Sequence, residues 1–230
     1  MEKEKRIEII ASFVDKGARI ADIGSDHCAV PILLMRQKKI TFAQAVENKK
    51  GPYQRMRQEI LKSGFQANIH PNLSDGIESL DPTVDTLIIA GMGGRLILSI
   101  LERHPEKLEN IKTIIVDAHN DRPMVISKLS EKGFVLDNNE FFYESGIAYD
   151  VMKWTRSAKK ASYSEIEVEF GPFNVLRKNE AWRAYWQSEK QRMIGILSQK
   201  GLPEKKKKEC EQKIALIEAA FAYEKLSIND

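Results

Sequence analysis

One ten-residue segment near the amino terminus constrains the fold more than any other part of this chain. Residues 18–27 read Ala-Arg-Ile-Ala-Asp-Ile-Gly-Ser-Asp-His, and the apolar run within them fits a short buried strand. Polar residues follow this run at once, at the point where the strands of an open parallel sheet bind their ligands. Gly24 allows a tight turn there and a close approach of the backbone to a ligand. The segment therefore predicts an α/β sheet with a ligand site at the end of its first strand.

The charge beside this turn narrows the class of ligand. Asp22 and Asp26 place two carboxylates next to Gly24. Two negative charges repel a diphosphate and attract a cationic amino group or a sulfonium. The charge therefore favours S-adenosylmethionine as the cofactor over a dinucleotide.

Strand-like and helix-like segments alternate up to about residue 135, which predicts a Rossmann-like, doubly wound sheet. The predicted strands are 19–23, 42–46, 67–71, 86–90 and 113–116, followed by an antiparallel pair at about 134–143 and 148–155. The predicted helices are 5–14, 28–37, 52–63, 94–103 and 123–132.

The pattern changes after residue 157. A polar stretch leads to two runs with apolar residues at helical spacing, 176–200 and 204–226, which Gly201-Leu-Pro203 separates. This predicts an antiparallel, coiled-coil-like helical hairpin, in which Trp182 and Trp186 are core residues and not platforms for stacking bases. We therefore expect a cofactor-binding domain over residues 1–157 and a helical hairpin domain over residues 158–230.

Composition fits a cytoplasmic globular protein. Hydrophobic residues make up 42% of the 230-residue chain and charged residues 30%, which argues against disorder. No apolar run approaches the roughly 20 residues of a membrane span, and Cys28 and Cys210 match no metal spacing. The net charge of +3 arises entirely after residue 158, and this weak basic bias permits nucleic-acid binding. We expect no membrane, no metal and a reducing compartment.

Acidic residues follow the second and third predicted strands. Glu47 stands where nucleotide-binding α/β folds place the carboxylate that accepts both ribose hydroxyls, although a solvated charge is the simpler alternative for Glu47 alone. Asp75 and Gly76 follow the third strand, where a carboxylate accepts the exocyclic amine of the cofactor adenine; a plain Ser-Asp-Gly turn is the alternative.

The fourth strand ends in a glycine-rich segment. Three glycines in Gly91-Met-Gly-Gly94 require the backbone to pass close to a ligand or to a packed helix. We favour a floor for the substrate base beside the methyl donor over a purely structural tight turn. The complete set of predicted cofactor-binding residues is Asp22, Gly24, Ser25, Asp26, His27, Glu47, Asn48, Asp75, Gly76, Ala90, Gly91, Met92 and Gly93.

Taken together, these segments resemble the bacterial TrmK-type tRNA (adenine(22)-N(1))-methyltransferase family over nearly the whole chain. The resemblance implies a Rossmann-like class I methyltransferase domain followed by a helical coiled-coil domain. It also implies S-adenosylmethionine-dependent methylation of N1 of adenosine 22 in the tRNA D-arm. The segments that carry it are Asp22-Ile-Gly-Ser-Asp-His27, Glu47 with Gly51-Pro-Tyr53, Ile89-Ala-Gly-Met-Gly-Gly-Arg-Leu96 and Phe170-Gly-Pro-Phe173.

Two other functions stay open. The run Asp117-Ala-His119 stands where the family carries Gln-Pro-Asn, so a protein of this fold that binds RNA or cofactor without catalysis is the second candidate. A nicotinamide-dependent (NAD) oxidoreductase is the third. It requires Gly-x-Gly-x-x-Gly, whereas an acid and an alanine stand here where two of those glycines belong.

Methylation of adenine N1 needs little acid–base help, since the N1 lone pair is free at neutral pH. The product is a cation, and a nearby carboxylate stabilises the developing charge. Asp26 is the first candidate for this catalytic role, and Asp117 and Asn120 at the end of the fifth strand are the next. We expect tRNA as the partner, contacted by the helical hairpin, and a monomer or weak dimer.

Overall fold

The computed structural model describes residues 5–224, which are organised around one seven-stranded sheet. Its strands are β1 (Arg19–Ile23), β2 (Phe42–Glu47), β3 (Ile69–Leu73), β4 (Thr86–Met92), β5 (Thr113–Ala118), β6 (Phe134–Glu144) and β7 (Ile147–Arg156). Across the sheet they follow the order β3-β2-β1-β4-β5-β7-β6. Strands β1 to β5 are parallel, whereas β7 runs antiparallel to both of its neighbours. The predicted Rossmann-like, doubly wound sheet is confirmed.

The chain reverses its direction of travel across the sheet between β1 and β4. From β1 it proceeds outward to β2 and β3, and then returns to pair β4 with the other side of β1. In an open α/β sheet, ligands bind outside the carboxyl ends of the strands at this kind of reversal. The fold therefore places a binding crevice beside Gly24, directly after β1.

Nine α-helices surround the sheet in the described part of the chain. They are α1 (Lys5–Phe13), α2 (Ala29–Arg36), α3 (Lys50–Ser63), α4 (Gly94–Arg103), α5 (Arg122–Glu131), α6 (Glu165–Phe170), α7 (Pro172–Arg177), α8 (Glu180–Leu197) and α9 (Glu204–Ala222). The first three share a buried apolar cluster with one face of the sheet. Helices α4 and α5 share another cluster with the opposite face. The sheet is thus covered on both sides, as parallel sheets require.

Alternation along the central strands decides which side chains reach each face. On β1, Ile20 packs in the cluster under α1–α3, whereas Ala21 and Ile23 pack in the opposite cluster. Because successive side chains of a strand point to opposite faces, Asp22 lies on the α1 face. The same rule applies on β5, where Ile115 belongs to the α1–α3 cluster, so Asp117 also reaches the sheet edge on the α1 face.

The carboxy-terminal helices pack against β6 through a third apolar cluster. Trp182 and Trp186 are buried in it together with Phe141 of β6, so the interpretation of both tryptophans as core residues is confirmed. Helices α8 and α9 run antiparallel, since Trp182 lies 5.2 Å from Phe221 between ring centroids and Lys190 pairs with Glu218 at 2.6 Å. The division into two domains at residue 157 stays a prediction; in the structure β7 ends at Arg156 and α6 begins at Glu165.

Two predicted elements are displaced in the structure. The helix expected over 176–200 is wrong at its start, because Lys178 adopts a left-handed conformation with φ 44° and Asn179 caps a new helix, α8, by accepting the Trp182 N–H at 2.9 Å. The strand expected at 67–71 begins only at Ile69, because the N–H of Ile69 first closes a turn onto the carbonyl of Phe65 at 2.9 Å.

Within residues 5–224, no helix is long and apolar enough to cross a membrane. In the same range, no group of three or more His, Cys, Asp and Glu side chains could hold a metal ion.

Candidate active site

The turn after β1 is held tightly against the neighbouring strands. The N–H groups of Gly24 and Ser25 both donate to the carbonyl of Val46, at 2.9 and 3.0 Å. Gly24 has φ 81°, a left-handed conformation that favours glycine. A Cβ atom at this position would lie 2.3 Å from the methyl carbon of Met92. The glycine therefore lets the ends of β1 and β4 meet at the floor of the crevice.

A cavity of about 330 Å³ opens beside this turn. It lies between the carboxyl ends of β1, β2 and β3 on one side and the start of α4 on the other. Seven of the residues predicted to bind the cofactor line it together: Gly24, Asp26, Glu47, Asn48, Asp75, Gly76 and Met92. The structure thus brings together residues that lie far apart in the sequence.

Glu47 is held in place by its own loop. This carboxylate is buried, and its Oε1 accepts the backbone N–H groups of Asn48 at 3.0 Å and Lys49 at 3.2 Å. Two N–H donors orient a carboxylate and stabilise its charge. Glu47 is therefore a rigid acceptor at the cavity wall, the property that binding a pair of ribose hydroxyls requires.

Asp75 lies on the far wall of the same cavity. Its carboxylate is bound by the guanidinium of Arg103 from α4, with one N–H···O contact of 3.3 Å and a second, shorter one. The hydrogen bond from Arg103 keeps the pKa of Asp75 below its usual range. Asp75 is therefore an ionised acceptor that faces the cavity, as a contact to an exocyclic amine needs.

A second cavity, of about 220 Å³, adjoins the first on the α1 face of the sheet. Asp22, buried within its wall, accepts a 2.5 Å hydrogen bond from the Ser25 hydroxyl. Burial raises the pKa of Asp22 to about 6, against the opposing effects of that hydrogen bond and of the positive charge on Arg6. The predicted cofactor residues Ser25, His27 and Ala90 also line this second cavity.

Asp26 is the one predicted catalytic residue that borders both cavities. Its side chain is 39% exposed and forms a two-point ion pair with Arg55 of α3, at 3.0 and 3.1 Å. The imidazole Nε2 of His27 lies 3.5 Å from Oδ2 of Asp26. Asp26 is thus positioned to face either a cofactor or a substrate.

Two glycines of the segment at the end of β4 have different surroundings. A Cβ on Gly94 would lie 2.7 Å from the carbonyl oxygen of Asn120, and the Gly94 N–H donates to Oδ1 of Asn120 at 3.1 Å. Gly94 is therefore explained by packing, and Asn120 supports the loop through its side chain. Gly91, by contrast, has φ 78° and faces the guanidinium of Arg6.

Sequence reasoning missed Arg6, which α1 brings to the edge of the sheet beside Asp117. Its Nε donates to Oδ2 of Asp117 at 2.6 Å, and Asp117 is only 1% exposed. The backbone N–H of Arg6 donates to Glu144 at 2.9 Å. The available signal was positional: Arg6 lies one helical turn before Ile10 on the apolar face of α1, where a cation needs a buried partner.

Comparison with known proteins identifies the family of this chain. A methyltransferase domain family model matches residues 3–152. A tRNA (adenine(22)-N(1))-methyltransferase of Bacillus subtilis (strain 168) is 30% identical over 200 residues, which cover 85% of this chain and 84% of that protein. The crystal structure of the B. subtilis m1A22 tRNA methyltransferase TrmK matches with a TM-score of 0.84 and 28% identity, over 94% of this chain and 97% of that one.

Streptococcus pneumoniae Sp1610 in complex with S-adenosyl-L-methionine has the same fold. It matches with a TM-score of 0.87 and 30% identity, over 94% of this chain and 98% of that one. The domain match covers more than half of the chain, and the similarity to the curated relative extends over most of its length. The chain belongs to the tRNA (adenine(22)-N(1))-methyltransferase family.

Proposed function

We propose that this protein transfers a methyl group from S-adenosylmethionine to N1 of adenosine 22 in tRNA. The observation that carries the proposal is the acidic cavity after β1. Glu47 and Asp75 line this cavity together with Gly24, and each carboxylate is held in place by hydrogen bonds. Family membership supplies the substrate class, since the relative from B. subtilis is named for this reaction.

The residues of the cavity fit S-adenosylmethionine. The oriented carboxylate of Glu47 suits the two ribose hydroxyls, and the ionised Asp75 suits the amine of the cofactor adenine. Asp22 and Asp26 supply negative charge close to Gly24, which suits a ligand with an amino group and a sulfonium. A dinucleotide would bring its diphosphate against the same carboxylates, so the oxidoreductase alternative finds no support in this site.

When bound, S-adenosylmethionine supplies an electrophilic methyl group, and the protein has to position an adenine beside it. Positioning accounts for much of the acceleration in a displacement of this kind. The protein needs no strong base, because the N1 lone pair of adenine is already free at neutral pH. What the site offers is carboxylate: Asp26 at the border of the two cavities and Asp117 beneath Arg6.

We assign the charge-stabilising catalytic role to Asp26 and Asp117, and a positioning role to Asn120. A carboxylate near the adenine favours the cation that forms as N1 is methylated. Asn120 acts through the backbone: its side chain accepts the Gly94 N–H and so fixes the loop that carries Gly93 and Gly94.

The tRNA has to present the target base outside its helical stack, since the reacting atom is otherwise out of reach. We propose that the carboxy-terminal helices bind the tRNA backbone. Lys205–Lys208 form an exposed basic run at the start of α9, and such charges bind phosphates without reading sequence. We further propose that the protein acts in the cytoplasm, as a monomer or a weak dimer.

Methyl transfer to two tRNAs tests the proposal. The purified protein is incubated with radiolabelled S-adenosylmethionine and either an unmodified tRNA with adenosine at position 22 or the same tRNA with guanosine there. We expect label only in the first tRNA, at N1 of adenosine 22. Cofactor binding without transfer to either tRNA would instead establish a binding protein that lacks catalysis.

A further inference from the structure

The cavity on the α1 face, which adjoins the cavity assigned to the cofactor, is lined by a cationic side chain, that of Arg6. Strands β1, β4 and β5 are neighbours in the sheet, and their alternation places Asp22, Ala90 and Asp117 on this face at the carboxyl edge. The guanidinium of Arg6 covers this edge and lines the same cavity as Asp22, Gly24 and Ala90. The space beside the cofactor cavity is therefore partly filled by a side chain from α1.

The surroundings of this guanidinium are those of a bound planar base. One flank meets the backbone of Gly91, where an added Cβ would lie 2.8 Å from a terminal nitrogen of Arg6. The other contact is the ring of Tyr149, whose centroid lies 5.2 Å from the guanidinium carbon. At its edge, the Nε–H donates to Oδ2 of Asp117 at 2.6 Å. This flat group thus contacts backbone at Gly91 and the aromatic ring of Tyr149, and it donates to a carboxylate.

Asp117 retains capacity for another donor. Its Oδ1 is fully buried and has no hydrogen-bond partner among the described residues. A buried carboxylate oxygen without a donor is energetically costly, so its presence beside a ligand cavity indicates a ligand that supplies the missing N–H. Arg6 satisfies one oxygen of Asp117, so displacement of Arg6 leaves a buried carboxylate with acceptor capacity for the N–H groups of an incoming base.

From these contacts we propose that Arg6 is a placeholder for the target adenine. The inference rests on the function proposed above. A guanidinium and the N1–C6–N6 edge of adenine are both planar, and both present N–H groups from a conjugated carbon centre. In the productive complex the adenine takes the place of the Arg6 guanidinium between Gly91 and Tyr149, and its exocyclic amine donates to Asp117.

The charge balance of the reaction explains why such a placeholder is useful. During transfer, N1 uses its lone pair to form a bond to the methyl carbon, while the carbon–sulfur bond breaks and leaves its electron pair on sulfur. The positive charge passes from the sulfonium to the base. Asp117 thus faces a cation in the free protein, a neutral adenine in the substrate complex and a cation again after transfer.

This sequence of partners favours the reaction over the bound substrate. A buried carboxylate is poorly compensated by a neutral base and well compensated by a methylated one, so Asp117 binds the transition state more tightly than the substrate. Arg6 then competes with the methylated adenine for Asp117 and promotes release of the product. Arg6 is 22% exposed and lies in the first turn of α1, which leaves it room to withdraw.

Nucleoside binding tests the placeholder without requiring turnover. The protein is saturated with S-adenosylhomocysteine, and its amide NMR spectrum is titrated with 1-methyladenosine, a cation at neutral pH, or with neutral adenosine. We expect Arg6→Ala to bind 1-methyladenosine about 10-fold more tightly than wild type, because the competing guanidinium is gone. Arg6→Lys, which keeps a cation beside Asp117 but loses the planar group, is expected to bind with intermediate affinity.

A double variant distinguishes the effect of the Asp117 charge from the effect of the space that Arg6 vacates. In Arg6→Ala/Asp117→Asn the pocket is open but its carboxylate is neutral, so the preference for 1-methyladenosine over adenosine should vanish. Arg95→Ala is the matched control, since Arg95 is 77% exposed at the same edge of the sheet and pairs with Asp121; its affinity should equal that of wild type.

Two results would overturn the placeholder: binding by Arg6→Ala and Arg6→Lys no tighter than wild type, or an equal gain in Arg95→Ala. In wild type, the Nε–H resonance of Arg6 should also move when 1-methyladenosine binds, and a fixed resonance at saturation would contradict displacement. A parallel tRNA assay keeps the two proposals apart. If wild type methylates adenosine 22 but the nucleoside results fail, only the placeholder is wrong.

Discussion

The two sides of the binding crevice are constructed in different ways. On the side that we assign to the cofactor, at the ends of β1, β2 and β3, the contacts are shorter in sequence: Glu47 accepts from the next two residues, Asp22 accepts from Ser25, and Asp75 accepts from Arg103, 28 positions away. On the acceptor side, at the ends of β4 and β5, the main contact joins Arg6 to Asp117, which lie 111 positions apart.

This difference has a functional meaning. A cofactor that is the same in every turnover is served by a rigid cavity whose acceptors each have a fixed donor within the fold. An acceptor site that must admit and release a large RNA is served by contacts that can open without unfolding the sheet. Arg6 is such a contact, since it comes from the first turn of α1 and not from a strand.

The largest expected effect comes from the acceptor side. We expect Asp117→Asn to lower kcat by about 100- to 1000-fold, the range for loss of one group that stabilises developing charge, with the Kd of S-adenosylmethionine unchanged. Single-turnover methylation of tRNA and cofactor calorimetry measure the two quantities. Asp121→Asn in the following loop is the control and should retain full kcat. A higher Kd of S-adenosylmethionine in Asp117→Asn would mean that Asp117 also contributes to cofactor binding.

The next effect comes from the cofactor side. We expect Glu47→Gln to raise the Kd of both S-adenosylmethionine and S-adenosylhomocysteine by about 10- to 100-fold, because a charged acceptor contributes about 1.5–3 kcal/mol per hydrogen bond. At saturating cofactor, kcat should be that of wild type. Calorimetry with the two ligands checks this, with the exposed Glu59→Gln on α3 as control. An effect on one ligand alone would exclude a contact to their shared ribose.

The same contrast determines what could be predicted from the sequence. The turn at Gly24, the position of Glu47 and the span of α4 all follow from local patterns, and the structure contains each of them where expected. Arg6 could not be assigned, because no local pattern reveals a partner in β5. The paired short helices α6 and α7 were also missed, although Ser164 and Glu167 form a capping box at the start of α6. Their junction depends on Gly171, which has φ 81° and packs against Asn139 of β6.

A pH-dependent effect of intermediate size is expected beyond the acceptor side, at Asp150 of β7. This buried carboxylate accepts from Asn139 at 3.0 Å and from Asn174 at 2.9 Å, and so connects α7 to the sheet. Burial raises its pKa to about 6 from 3.8, against opposing effects of Arg122 and the two amides. Between these two values the folded protein holds a proton that the unfolded chain has lost, so stability decreases as pH rises.

The variant Asp150→Asn should remove this decrease. We expect its free energy of unfolding, relative to wild type, to rise by roughly 2 kcal/mol between pH 4 and pH 7, from the linkage between pKa and stability. Urea unfolding at a series of pH values gives this difference. A relative stability that stays constant over that range would show that Asp150 ionises in the fold as it does in the unfolded chain.

The smallest effect concerns Asp26, which borders both sides. Arg55 neutralises Asp26 through an exposed ion pair, and such pairs are worth at most about 1 kcal/mol. If Asp26 serves the sulfonium, Arg55→Ala should tighten S-adenosylmethionine by a few-fold and leave S-adenosylhomocysteine unchanged, because only the first carries charge on sulfur. Arg57→Ala, on the same helix but beside Tyr53, is the control for both ligands. Equal changes for the two ligands would instead mean that the pair of Arg55 and Asp26 acts on a part of the cofactor that both ligands share, and not on the sulfonium.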